Sequence, residues 1–322
     1  MTQTTTITEV PDAAPPAREH HFRGRRSRGR GGRTNRPGLP ESLLKLIVLG
    51  AATLAVVVPF VGIVSTSLSS REHLDASGGF VLWPDAPTLA AYRTVLSGGV
   101  VTTALLVSIG VTLVGTLLSV LVSAMLAYGL SRPGSLGSRP ALLIVLLSLL
   151  FSPGIIPLYL TVRGFGLIDT FAALILPGVV SAFNVIVLRS FFLNIPAEIL
   201  ESAKMDGAGD WQIFNRIVAP LSKAVLAVIG LFYAVGYWNS FFNALIYLND
   251  QTRWPLPLVL RTYVLNNTQL SASDVAAGAE ALPAQPALQM AMLLIAIVPI
   301  LIVYPFLQRH FTKGVITGAV KG

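Results

Sequence analysis

Val100-Val-Thr-Thr-Ala-Leu-Leu-Val-Ser-Ile-Gly-Val-Thr-Leu-Val-Gly-Thr-Leu-Leu-Ser-Val-Leu-Val-Ser-Ala-Met-Leu-Ala-Tyr-Gly-Leu130 runs without a single charged residue. A hydrocarbon core of about 30 Å is crossed by about 20 helical residues at roughly 1.5 Å each, so this stretch is long enough to span a bilayer and project beyond it. It is too long for a membrane strand and lacks the alternation of a membrane barrel. Backbone groups in lipid must be satisfied within their own segment, which makes a helix the default. This stretch therefore decides the fold class: an all-α membrane protein.

Five further uncharged runs meet the same length: 46–68, 141–162, 170–188, 224–249 and 281–308, the last apolar from about residue 287. Six transmembrane helices are expected. The composition agrees, since 53% of the 322 residues are hydrophobic, 12% are charged and mean hydropathy is +0.70, whereas soluble domains carry roughly 25% charge. The chain has no cysteine, which excludes disulfides, thiolate catalysis and cysteine metal sites. Its histidines, His20, His21, His73 and His310, all lie outside the long apolar runs. Histidine chemistry within the membrane is not expected.

Residues 1–42 are a different material, rich in Pro, Ala, Thr and Gly and carrying the run His21-Phe-Arg-Gly-Arg-Arg-Ser-Arg-Gly-Arg-Gly-Gly-Arg33. With no periodic apolar face, this segment is expected to be a disordered cytoplasmic tail. It is not a secretory signal, because the apolar run behind it starts too late and is too long. The arginines resemble an RNA-binding arginine-glycine segment, or form a solvated anchor beside anionic lipid; no nucleic-acid partner is expected. With the N-terminus inside, 18 of the 23 Lys and Arg residues fall on inner segments and five on outer ones, Arg71, Arg93, Arg163, Arg253 and Arg261. The positive-inside rule therefore puts both termini in the cytoplasm. The net charge of +8 is mainly a topology signal.

The inner loop between the fourth and fifth runs reads Asn194-Ile-Pro-Ala-Glu-Ile-Leu-Glu-Ser-Ala-Lys-Met-Asp-Gly-Ala-Gly-Asp-Trp-Gln-Ile-Phe-Asn-Arg-Ile-Val-Ala-Pro220. Pro196 suits the first turn of a short helix, where Glu198 and Glu201 meet the positive end of the dipole. Gly207 and Gly209 break that helix and Asp210 can cap the next. Ile213, Phe214 and Ile217 recur at helical spacing and give the second helix an apolar face until Pro220 ends it. Two short helices at a glycine corner outside the membrane form a rigid knob suited to a protein socket.

This loop resembles the cytoplasmic signature of the permeases of binding-protein-dependent ABC importers: Glu-Ala-Ala, three residues, Gly, nine residues, Ile, one residue, Leu-Pro. Glu201-Ser202-Ala203, Gly207, Ile217 and Pro220 stand at that spacing, with Ser202 and Ala219 as departures. Asp206-Gly207-Ala208 and the ending Phe311-Thr-Lys-Gly-Val-Ile-Thr-Gly-Ala-Val-Lys-Gly322 are similar to the carbohydrate branch, the relatives of the maltose permeases. Ser152-Pro-Gly-Ile-Ile-Pro157 and the stretch 236–250 look like a subgroup linked to oligosaccharides, including oligouronides. The resemblance covers residues 43–322, with a shared core near 98–309 and a C-terminal cytoplasmic tail at 310–322.

It implies a type I ABC importer permease fold and assigns coupling to the 194–220 loop through Glu201, Ser202, Ala203, Asp206, Gly207, Ala208, Ile217 and Pro220. It further implies two cytoplasmic ATPase subunits, a second homologous permease and an extracytoplasmic substrate-binding protein. The C-terminal tail either docks between the ATPases or frays. No cofactor is expected in this chain; ATP and magnesium belong to the partners, and no nucleotide-binding motif occurs here.

Substrate-path candidates are neutral polar residues within the runs: Asn184, Tyr233, Tyr237, Trp238, Asn239 and Asn243, with Ser181 and Tyr247 nearby. Asn239 and Asn243 lie four apart and would share a helix face. Aromatic faces with planar polar groups suit a sugar, yet interhelical hydrogen bonding explains such residues equally. Pro153 and Pro157 mark a kink in the third run. A secondary transporter is the alternative, but the intramembrane ionisable groups and repeated halves typical of one are missing. A non-transport membrane scaffold is another. An enzyme is not expected, because no Ser/His/Asp arrangement, HExxH or phosphate loop is present.

Overall fold

The computed structural model describes residues 39–319 apart from 136, 267, 272–273 and 275–281, with side chains described as far as residue 305. Of the expected tail at 1–42, residues 1–38 lie outside it, as do the final residues 320–322, whereas residues 39–42 are not disordered but form the start of the first helix. By internal contacts the chain divides into Met1–Thr53 and Leu54–Gly322. Among the described residues every regular element is a helix.

Three helices are long and apolar enough to cross a membrane: α1 (Leu39–Leu68) over Glu41–Leu68, α4 (Val100–Ser131), and α15 (Gln285–Ala319) over Gln285–Pro305. Two short helices, α2 (Arg71–Ala76) and α3 (Ala90–Leu96), lie between α1 and α4. Helix α15 runs on past residue 308 to Ala319, so the backbone of the expected polar tail continues the last helix.

The third expected span is not one helix. α5 (Ser138–Leu150) and α6 (Ile155–Gly164) are separated by Phe151–Gly154. Pro153 lies in the break, whereas Pro157 occupies the first turn of α6, where its missing N–H costs nothing. The fourth run is bent by 49° between α7 (Phe171–Ile175) with its one-turn extension Leu176–Gly178, and α8 (Ala182–Leu193). Pro177 sits in that extension and removes a backbone donor.

Helices α9 (Ala197–Met205), α10 (Asp210–Ile213) and α11 (Ala219–Leu221) follow, with a wide π-turn over Phe214–Val218 between the last two. The chain then bends by 85° into α12 (Lys223–Trp238). The fifth run is also broken: α12 ends at Trp238 and α13 (Phe241–Tyr247) starts after two residues. α14 (Leu256–Leu260) and a second π-turn at Arg261–Leu265 lead toward α15.

Helix α4 is the central post of the unit Leu54–Gly322. Ala104, Ser108, Gly115, Ser119, Ser123 and Ala127 lie along its buried face at intervals of four or seven. Small residues at such spacing let helices approach closely, which is what packs membrane helices when lipid is as apolar as Leu. Tyr237 of α12 lies over Gly115, where an added Cβ would stand 2.8 Å from its ring. A second apolar cluster gathers α3, α14, the start of α15 and the first turns of α4 around Val95, Leu256, Leu288 and Met292.

Candidate functional site

The 194–222 segment forms a corner whose geometry is fixed by backbone hydrogen bonds. Pro196 stands at the N-cap of α9, Glu198 lies in the first turn and Lys204 in the last, each complementing the dipole. At the other end the Gly207 N–H donates to the Lys204 carbonyl (3.0 Å) and the Ala208 N–H to the Ala203 carbonyl (2.9 Å). That pair of bonds is a Schellman cap, and it demands a left-handed residue, which Gly207 supplies at φ +81°.

Asp210 is not the cap of the next helix. Gly209 takes that position, its N–H donating to Gln212 Oε1 (3.2 Å), and Asp210 opens the first turn. Nor does Pro220 end the helical stretch. It lies within α11, and the turn to α12 comes at Ser222, whose N–H is shared between the Val218 (3.0 Å) and Ala219 (3.2 Å) carbonyls. The π-turn at Phe214–Val218, just before Pro220, is a single-turn bulge, the form in which this rare geometry mostly occurs within helices.

The apolar face of this second piece is as expected: Ile213, Phe214 and Val218 are buried and Ile217 is half-buried. The end of α4 braces it. Tyr128 Oη donates to the Asp210 carbonyl (3.1 Å), its ring lies 5.2 Å from that of Phe214, and the Arg132 guanidinium stacks 4.3 Å over it. Arg132 also hydrogen-bonds Tyr128 Oη and approaches Asp210 at 3.9 Å.

The motif residues divide into two sets. Ala203 is buried and Ala208 and Ile217 are half-buried, holding the corner together. Glu201, Ser202, Asp206, Gly207 and Pro220 are exposed. Two large apolar residues join the exposed set: Met205 at 84% and Trp211 at 57%. Sequence reasoning passed over both, although a methionine and a tryptophan beside a polar turn are the signal of a contact surface.

The substrate-path candidates differ in burial and in partners. Tyr233 and Tyr237 are buried between α4 and the broken fourth span. Tyr237 Oη donates to the Ile175 carbonyl (3.1 Å) and pairs with Ser119 Oγ (2.7 Å). Tyr233 Oη accepts from the Ser181 N–H (2.9 Å) and pairs with Ser123 Oγ (2.6 Å). Both hydroxyls thus satisfy backbone groups released by the break between α7 and α8. Trp238 Nε1 donates to the Ala296 carbonyl (3.1 Å). Asn184 is buried, Asn239 exposed and Asn243 half-buried. Asn239 and Asn243 do not share a helix face, because the helix stops at Asn239, whose Nδ2 donates to the Val235 carbonyl (2.9 Å). Tyr247 is buried and stacks on Tyr159 at 6.3 Å.

A second joint, unforeseen from the sequence, ties the segment before α7 to the one after α13. Asp169, held at φ +61°, accepts from the Asn249 (3.1 Å) and Asp250 (3.0 Å) N–H groups and pairs with Arg253 (3.1 Å). No group of three or more His, Cys, Asp or Glu residues suited to a metal occurs among the described residues.

Residues 119–317 match the family described as the binding-protein-dependent transport system inner membrane component. The chain belongs to this family. The permease is 42% identical over 266 residues to the polygalacturonan/rhamnogalacturonan transport system permease protein YtcP of Bacillus subtilis (strain 168), covering 83% of this chain and 93% of that one. It is also 42% identical over 277 residues to Protein LplC of the same organism, covering 86% and 93%. Among solved structures it is similar to a bacterial ABC transporter involved in the import of the acidic polysaccharide alginate. That match has a TM-score of 0.75 and 30% identity, and covers 84% of this chain and 96% of the other. The matched family segment contains the corner, α4 from Ser119 onward and α12.

Proposed function

We propose that the permease forms one half of the translocation path of an ATP-driven importer of oligosaccharides, acidic ones included. It works beside a second homologous permease, above two ATPase subunits that bind ATP and magnesium, and receives sugar from an extracytoplasmic binding protein. Both termini face the cytoplasm, as the placement of Lys and Arg supports. Relatives named for polygalacturonan/rhamnogalacturonan and for alginate import support the substrate class.

The observation that carries the coupling role is the corner itself. Its internal geometry is closed by the Schellman cap and by Tyr128, while Glu201, Asp206, Met205 and Trp211 remain exposed. Such a knob transmits force without deforming, because its hydrogen bonds are internal. Glu201 would pair with a basic residue of the ATPase, with Met205 and Trp211 adding apolar contact. Closure of the two ATPases then carries the corner, and α12 behind it, from the inward-facing to the outward-facing arrangement. Asn239 and Asn243 would be the residues that meet sugar, a reading supported by their being the less buried of the candidate polar residues.

The deciding experiment is uptake of galacturonate oligomers into proteoliposomes holding the complete importer and its binding protein. Uptake that requires ATP inside the cytoplasmic compartment is expected. Uptake that survives ATP depletion and collapses with the proton gradient would overturn the proposal.

A further inference from the structure

Beside the corner, between the end of α4, the first turn of α5, the end of α8 and the outer turns of α9, lies a cavity of about 650 Å³. Arg132, Arg139, Arg189 and Lys204 all line it, and Glu201 is the one carboxylate among its lining residues. This volume falls within the range of small-molecule sites. Topology alone would scatter these cations along the membrane face; the fold brings four of them, from four helices, into one space.

Their hydrogen-bonding capacity is largely unspent. Arg132 is held with its side chain only 12% exposed, and its Nε is buried without a partner. Its guanidinium faces Asp210 at 3.9 Å and is otherwise fixed by Tyr128. Arg189 spends its Nε on the Leu130 carbonyl (2.9 Å). Arg139 and Lys204 have no carboxylate partner among the described residues. Four like charges around one cavity repel one another, and a buried guanidinium donor left unpaired costs its desolvation. An anion with several acceptor oxygens relieves both. Arginine forks match phosphate geometry in particular, with lysine adding a point charge.

We infer that this cavity binds a phosphate group, held by Arg132, Arg139, Arg189 and Lys204. The group comes either from the head of an acidic phospholipid or from a free phosphate compound. Phe192 and Leu200 line the same cavity and give a lipid's glycerol end an apolar wall. The site stands on its own geometry and does not require the coupling role.

The test uses the complete importer in two arms. In the first, the complex is reconstituted in nanodiscs containing phosphatidylglycerol, and retained lipid is counted by native mass spectrometry. In the second, nanodiscs of phosphatidylcholine alone are dialysed against radiolabelled inorganic phosphate. The Arg139→Gln/Arg189→Gln variant is expected to weaken binding about tenfold in at least one arm. Arg216→Gln, which removes an exposed cation outside the cavity, should leave it unchanged. Loss confined to the lipid arm assigns a headgroup, and loss confined to the phosphate arm assigns a free compound. Equal loss in the control variant, or wild-type binding in the double variant, overturns the site. Arg139 is exposed on the first turn of α5, so Arg139→Gln alone provides the same comparison if the double variant does not assemble.

Discussion

At Gly115, midway along α4, an added Cβ would stand 2.8 Å from the Tyr237 ring, whereas at Gly207, on the corner, nothing lies within 4 Å. Gly115 is ordinary helix, and Gly207 sits at φ +81°. One glycine is required for space and the other for backbone conformation. Inside the membrane the chain is constrained by contact with its own helices. At the corner the chain is constrained by its own hydrogen bonds and leaves the space beyond for something else.

Gly207→Asp separates the two kinds of constraint most sharply. Aspartate tolerates the left-handed region better than most residues, so the corner should survive while a charge and bulk enter the open face. Uptake in proteoliposomes is expected to fall to background, with membrane insertion and the thermal unfolding midpoint close to wild type. Wild-type uptake would show that the open face meets no partner.

Gly115→Ala should do the reverse. Forcing a methyl against the Tyr237 ring costs about 1–3 kcal/mol as overpacking, seen as lower thermal stability in detergent, with the corner's exposed face untouched. Tyr237→Phe comes next. It strands the Ile175 carbonyl in the membrane and should cost about 1 kcal/mol, since membrane hydrogen bonds average about 0.6 kcal/mol and an orphaned group costs more. An unchanged unfolding midpoint would show that the Tyr237 hydroxyl contributes nothing to holding α12 against α4 and α7.

The smallest effect belongs to the Asp169 joint, where Arg253→Gln should cost roughly half a kcal/mol, because the pair is partly exposed. Asp250, beside it, is held below the ordinary carboxylate range by the Thr252 backbone N–H and then by the Thr252 hydroxyl. A lowered folded pKa stabilises above the unfolded value near ~3.9 and is lost as pH falls through the folded one. Asp250 should therefore add no pH dependence of stability at neutral pH, which a pH series of unfolding midpoints checks.

Three long spans and the corner were legible because length, charge exclusion and glycine chemistry are local properties. The break in the third run was legible at Pro153, but those in the fourth and fifth runs were not. Spacing alone puts Asn239 and Asn243 on one face, yet the helix ends at Asn239, whose backbone N–H and side-chain amide both donate to the Val235 carbonyl. Tyr233 and Tyr237 looked like sugar-binding aromatics. Their hydroxyls instead serve backbone groups more than 50 residues away in sequence, a relation no local window contains. Arg132, Arg139, Arg189 and Lys204 were counted as topology signals, since their convergence depends on four helix ends meeting.

The break in the fourth span has one more consequence. Its freed carbonyl at Ile175 and amide at Ser181 are satisfied by side chains of another helix, α12, which in turn holds Ser119 and Ser123 of α4. If α12 swung while α7 stayed behind, a carbonyl and an amide would be abandoned in hydrocarbon, an outcome lipid penalises heavily. Alternating access is therefore cheapest when α4, the α7–α8 elbow and α12 turn as a single body. The place to look for sliding surfaces is the rim of that body, not its seams.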